Sequence, residues 1–286
     1  MLPRQQSDAS TADYQEFPGG KQMFRKATRT AFIALALLLL GLTAAAAQQW
    51  SAEPIEHAQL LGALDLEGEV FHVQGVDLDS RHIWVTSVDR ANRKGYLHEF
   101  DRATGRFLRR LELTDGERYH PGGISLHGRS IWVPVAELKP NSSAVLEEID
   151  TDTLQIRRKI HVADHLGCVA VSDSNLIAGN WDSRLFYIFD LHGGERVRVV
   201  PNPSATPYQD MKFIHGQLVA GGPLTLWSGT IDWIDWPSMK RVRTLRAGAT
   251  DRAAPYTGEG MALQGRDLYV ISEDGPSRLF HFRLDA

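Results

Sequence analysis

Five times along this chain an apolar residue is followed, seven positions later, by a short apolar run. Val76 leads to Ile83-Trp84-Val85, Ile124 to Ile131-Trp132-Val133, and Val169 to Leu176-Ile177-Ala178. Met211 leads to Leu218-Val219-Ala220, and Met261 to Leu268-Tyr269-Val270. The copies begin at His72, His120, His165, Pro207 and Thr257, spaced 48, 45, 42 and 50 residues apart. A third strand in most copies ends in an apolar-Asp pair: Phe100-Asp101, Ile149-Asp150, Phe189-Asp190 and Ile234-Asp235. A fourth alternates valine with arginine, as in Arg196-Val197-Arg198-Val199 and Arg241-Val242-Arg243. Period-two alternation predicts a half-buried strand, with the arginines discouraging edge-to-edge pairing. A repeat in the forties with four strands per unit predicts an all-β fold, a five-bladed β-propeller with four antiparallel strands per blade.

The fifth copy has room for three strands only. The missing one is expected from Ala58–Leu66, an N-terminal strand that would close the last blade. One propeller domain is therefore expected over 57–286. Residues 1–22 are polar and aperiodic, consistent with a disordered leader or an over-extended start. Met23 opens a pattern of export: Arg25, Lys26 and Arg29, the apolar run Ala31–Leu42, then Ala45-Ala46-Ala47. This reads as a secretory signal over 23–47, cleaved after Ala47. The apolar run is about twelve residues, against about twenty for a membrane span. A periplasmic or secreted monomer with no membrane span after signal removal is expected. Its single cysteine, Cys168, allows no internal disulfide and reads as a small buried residue.

Propeller geometry puts the start of each first strand on the same face as the end of each second strand. Two columns of polar residues meet there. The first holds His72, His120 and His165, with Gln74, Gln209, Asp210 and Glu259 nearby. The second holds Asp89, Glu137, Asp182 and Asp274, while blade four departs from it with Leu224. His72, His120, His165 and Glu259 would make a metal set at the tunnel mouth, and a divalent metal is the one cofactor these residues suggest. Gln74, Gln209, Asp210 and the acidic column would bind a ligand beside it. Each has a plainer reading: a repeated histidine bonded to the next blade, and carboxylates that accept N–H bonds in their own turns. Trp84 and Trp132 read as packing between blades. Trp227 lies in an insert, where packing is the ordinary role and an exposed aromatic platform the alternative.

Segments such as Ile83-Trp-Val-Thr-Ser and Leu97-His-Glu-Phe-Asp-Arg-Ala-Thr-Gly105 resemble secreted bacterial propellers of the quinoprotein-like and gluconolactonase-like group, and within it a family of unknown function. Glu259-Gly-Met-Ala-Leu263 with Leu268-Tyr-Val-Ile-Ser-Glu273 looks like the matching segment of esterase-like phytase and related calcium-associated propellers. That resemblance implies Glu259 and Glu273 as site residues. A full quinoprotein tryptophan motif and a lactonase metal set are missing. So are a GxSxG elbow, a Walker loop and a dinucleotide GxGxxG. No basic, aromatic-interleaved patch points to nucleic acid. The expectation is a propeller that binds a small molecule or cation at its tunnel mouth. A metal-dependent hydrolase, lactonase-like or phosphoesterase-like, is the alternative, with a protein-interaction scaffold third. Whether the chain is an enzyme stays open at this point.

Overall fold

The computed structural model describes residues 54–286. The leader and the signal segment at 23–47 lie outside the described residues. The described chain is a five-bladed β-propeller. Blade one consists of His72–Leu78, His82–Asp89, Lys94–Asp101 and Phe107–Glu112, paired in that order. Blade two has an interrupted first strand, His120–Pro121 and Ser125–His127, followed by Ser130–Ala136, Ala144–Asp150 and Ile156–Val162. Blade three runs Leu166–Val171, Asn175–Asn180, Leu185–Asp190 and Arg196–Pro201. Blade four runs Asp210–Ile214, Gln217–Thr225, Ser228–Asp235 and Lys240–Ala247. In blade five, Met261–Gln264, Asp267–Ile271 and Arg278–Leu284 are followed outward by Ala58–Asp65, antiparallel to Arg278–Leu284. The apolar-Asp pair works as a turn opener: Thr104 N donates to Asp101 Oδ1 at 2.9 Å, and Gly105 takes a φ of +73°.

The core is five layers, each between two neighbouring blades. Trp84 and Leu97 of blade one pack on Ile124, Ile131 and Val133 of blade two. Trp132 of blade two packs on Val169 and Leu176 of blade three. The ring is continuous because Val76, Ile83 and Phe100 of blade one also pack on Ala262, Tyr269 and Ile271 of blade five. The outermost strands differ from the sequence expectation. Val197 and Val242 are 57% and 50% exposed, so these strands are not half-buried with valine inward. The arginines instead lay guanidinium groups on aromatic rings, of a third strand or of the turn that follows one in the next blade. Arg198 sits 5.3 Å from the Trp236 ring centroid and Arg243 4.6 Å from that of Trp233. Cation–π contact and the apolar stem of arginine explain the inversion.

Glycine lets the first strands meet at the axis. A Cβ on Gly122 would lie 1.9 Å from the Gly167 carbonyl oxygen, and one on Gly123 2.5 Å from that of Gln209. Blades two and three join directly, Gly123 N to Gly167 O at 2.9 Å and Val169 N to Gly123 O at 3.0 Å. Where blades one, two and five carry Gly75, Gly123 and Gly260, blade four carries Asp210. Its carboxylate accepts N–H bonds from Val76 in blade one and Met261 in blade five, both at 3.1 Å. It also accepts from Met211 N at 2.8 Å and Lys212 Nζ at 2.7 Å. Lys212 then reaches Ile124 O of blade two at 2.6 Å. Asp210, expected as a ligand contact, has both oxygens engaged in a buried knot that plugs the tunnel.

Two consequences can be measured. Asp210→Ala leaves a buried ammonium unpaired and three amides without acceptors. It should lower unfolding stability by about 3–5 kcal/mol in urea denaturation. His98 is fully buried among aromatic rings, and burial, assisted by Arg110, pushes its imidazole down to about 4. The folded state then refuses a proton that the unfolded chain accepts at about 6.5. This contribution should be complete above about pH 6.5 and lost as pH falls toward 4, so urea midpoints should drop over that window, and less in His98→Leu.

Candidate site at the tunnel mouth

Above the Asp210 plug the first strands of blades one, two and three begin irregularly. Strand pairing shifts between Val73 and Gly75 in blade one, and between Leu166 and Cys168 in blade three. Blade two breaks its first strand between Pro121 and Ser125. Bulges re-aim the residues beside them. Here they widen the mouth into a cavity of about 230 Å³. Every blade contributes to its wall: His72, Gln74 and Arg90, then His120, then His165 and Asp182, then Gln209, then Glu259. The predicted histidine column thus gathers at one cavity, with His120 and His165 ring centroids 6.0 Å apart.

The three histidines are not equivalent. His72 bonds through Nδ1 to the Glu273 carboxylate. His165 bonds through Nδ1 to the Glu137 carbonyl at 2.8 Å and meets the Trp181 ring edge-on at 4.6 Å. Burial holds its imidazole below the ordinary value. His120 is pushed down to about 3 by burial, reinforced by His165, His72 and Arg90, and its buried Nδ1 has no partner. Glu259 is enclosed, so desolvation and the neighbouring Glu273 raise its carboxyl well above the usual range, with Arg90 pulling the other way. Gln74 Nε2 donates to Glu259 at 3.2 Å and to Val73 O at 2.7 Å.

His72, Glu259 and Glu273 bring one donor atom each within 4.8 Å of one another. His120 and His165 line the cavity but stand outside this set; the second acid, Glu273, takes their place in it. An imidazole and two carboxylates match the donor types of a borderline divalent cation. Ligands about 2.1 Å from a tetrahedral ion stand about 3.4 Å apart, a spacing within the spread of these three donors. Such an ion would offset the repulsion of two adjacent carboxylates in a partly enclosed site.

Most of the acidic column does something else. Asp89 accepts from Asn92 N and Nδ2 at 3.0 and 2.7 Å, holding its own turn. Glu137 accepts from Ser143 Oγ at 2.8 Å and pairs with Lys139 at 2.7 Å. Asp274 pairs with Arg278 at 2.5 Å. All three, expected as ligand contacts, are tied into their own loops by these bonds. Asp182 alone in the column lines the 230 Å³ cavity, carried there by a backbone φ of +56°. Gln209 lines it too, with its amide also bonded to Pro207 O at 3.2 Å. The repeat could not reveal Arg90, Trp181 or Tyr208, because these wall residues have no counterparts at matched positions. The signal for Glu273 was the segment ending Ile-Ser-Glu273, outside the repeat.

Residues 86–209 match the profile of a family of unknown function, DUF6454. No curated protein matches the sequence. Among solved structures, the glutaminyl cyclase of Myxococcus xanthus is similar over 82% of this chain and 99% of its own, at 16% identity and a TM-score of 0.62. BamB from Moraxella catarrhalis is similar over 77% of this chain and 61% of its own, at 14% identity and a TM-score of 0.41. The first likeness agrees with the five-bladed fold.

Proposed function

We propose that this propeller binds a small ligand together with a divalent cation at its tunnel mouth. The observation that carries the reading is the three-donor set His72, Glu259 and Glu273, opening into a cavity walled by all five blades. His72 would supply the imidazole ligand, and Gln74 would orient Glu259 through its amide. The plug beneath makes the mouth a cup, so a ligand enters and leaves by one face. A metal-dependent hydrolase is the second reading. Three protein ligands leave coordination positions free toward the cavity, as catalytic metal sites do. Such an ion would supply Lewis-acid polarisation of a bound carbonyl or phosphoryl oxygen.

The full-length protein should bind Zn²⁺ or Mn²⁺ at one equivalent per chain by calorimetry. His72→Ala should weaken that binding by at least about tenfold, while its thermal midpoint without metal stays near the parent's. Parent protein that takes up neither ion would overturn the cation reading. Hydrolysis of lactones or phosphodiesters by the loaded parent, lost in Glu273→Gln, would decide for the enzyme.

We also read the protein as exported, with residues 23–47 removed. N-terminal sequencing of protein recovered from its native compartment should begin just after Ala47. A product still carrying Ala31–Leu42 would contradict export by cleavage.

A further inference from the structure

A second hollow opens beside the cluster. It has a volume of about 520 Å³, within the range of small-molecule sites, and its wall includes Glu259 and Glu273. Its other walls are apolar: Pro207, Pro223, Leu224, Leu226 and Pro255. Blade four builds most of it. Its second strand, Gln217–Thr225, is the longest second strand of the five blades, at 9 residues. The surplus carries its hairpin past the rim and leaves Leu224 and Leu226 55% and 75% exposed. Leu224 stands where the other four blades place an acid. This flank of the mouth is thus apolar.

Glu259 also lines the 230 Å³ cavity, and a different feature lies there. Arg90 is exposed and lines the 230 Å³ cavity together with Glu259. No carboxylate among the described residues lies within ion-pair distance of it, whereas Arg93 in the same loop pairs with Glu117. The carboxylates of the cluster already hold donors, His72 on Glu273 and Gln74 on Glu259. The cation left without a partner calls for an anion, and the apolar hollow for a hydrocarbon body.

We propose that the ligand of this mouth is a small carboxylic acid with an apolar body, its carboxylate drawn to Arg90 and its hydrocarbon part lying between Leu224, Leu226 and the prolines. This rests on the tunnel-mouth reading and adds the ligand's chemical class. Burying a methylene contributes about 0.8 kcal/mol, which is about a threefold to fourfold gain in affinity.

The test is a ladder of acetate, butanoate, hexanoate and octanoate titrated into the full-length protein, with and without saturating Zn²⁺, and octylamine as the charge control. Affinity should rise about threefold per methylene and stop rising once the hollow is full. Leu226→Asp, a change on an exposed side chain, should flatten the ladder and leave Zn²⁺ affinity unchanged. Arg90→Gln should weaken every carboxylate by a similar factor without altering the ladder's slope. Octanoate binding no better than acetate, octylamine preferred over octanoate, or a ladder unaffected by Leu226→Asp would each overturn the inference. The two readings fail separately. Zn²⁺ uptake without a ladder removes this inference and leaves the cation reading. A ladder that persists without any metal uptake does the reverse.

Discussion

Asp210 is held by amides from blades one and five, and by an ammonium that reaches blade two. A buried carboxylate pays a large desolvation penalty, and burial pushes this one up to about 7 against the pull of Lys212. It is tolerated because every lone pair is engaged. The knot also explains the glycines around it. Gly75, Gly123 and Gly260 stand at positions equivalent to Asp210, where their neighbours leave no room for a Cβ. One polar side chain and three missing ones let five inner strands converge on a closed axis.

Closure below is what makes the mouth a site. In an open channel, polar groups at the strand starts would face moving water and keep their solution properties. Over a plug, the same groups form a dead-ended cup in which Glu259 and His120 lose solvent and shift strongly, in opposite directions along the pH scale. The bulges at Gln74 and Gly167 belong to the same arrangement. They break strand pairing just above the plug, so the ring is tight at the axis and loose at the rim.

The architecture was legible in the sequence because it repeats. A seven-residue offset from an apolar strand start to an apolar run, seen five times, leaves little choice of fold. The histidine column was legible for the same reason, and His72, His120 and His165 do line one cavity. What the repeat could not convey is how each copy is used. Asp210 lies next to Gln209 in the chain, yet one points to the plug and the other lines the mouth. The acids at the ends of the second strands share a position and not a role, since Asp89, Glu137 and Asp274 find partners in loops of different length. Arg196 and Val197 alternate as an outer strand should, but the guanidinium–aromatic contact decides which of them lies against a ring. Side-chain partners supplied by other blades are invisible to a pattern read along one.

The division between ring and rim also sets where ligand preference can reside. A side chain at the axis is fixed by contacts to three or four blades, so changing it disturbs the fold before it alters binding. Leu224, Leu226 and Arg90 touch the mouth from outside that ring, on a hairpin and a loop with ample solvent exposure. Their identities can change the charge and the apolar area offered to a ligand while Asp210 and its glycines stay as they are. His72, Glu259 and Glu273 lie between these extremes. They are rooted in strand ends of blades one and five, which share a packed core, so the donor set is positioned by the same contacts that join the last blade to the first. The chemistry of the mouth is thereby tied to the integrity of the ring, and its selectivity is left to the loops.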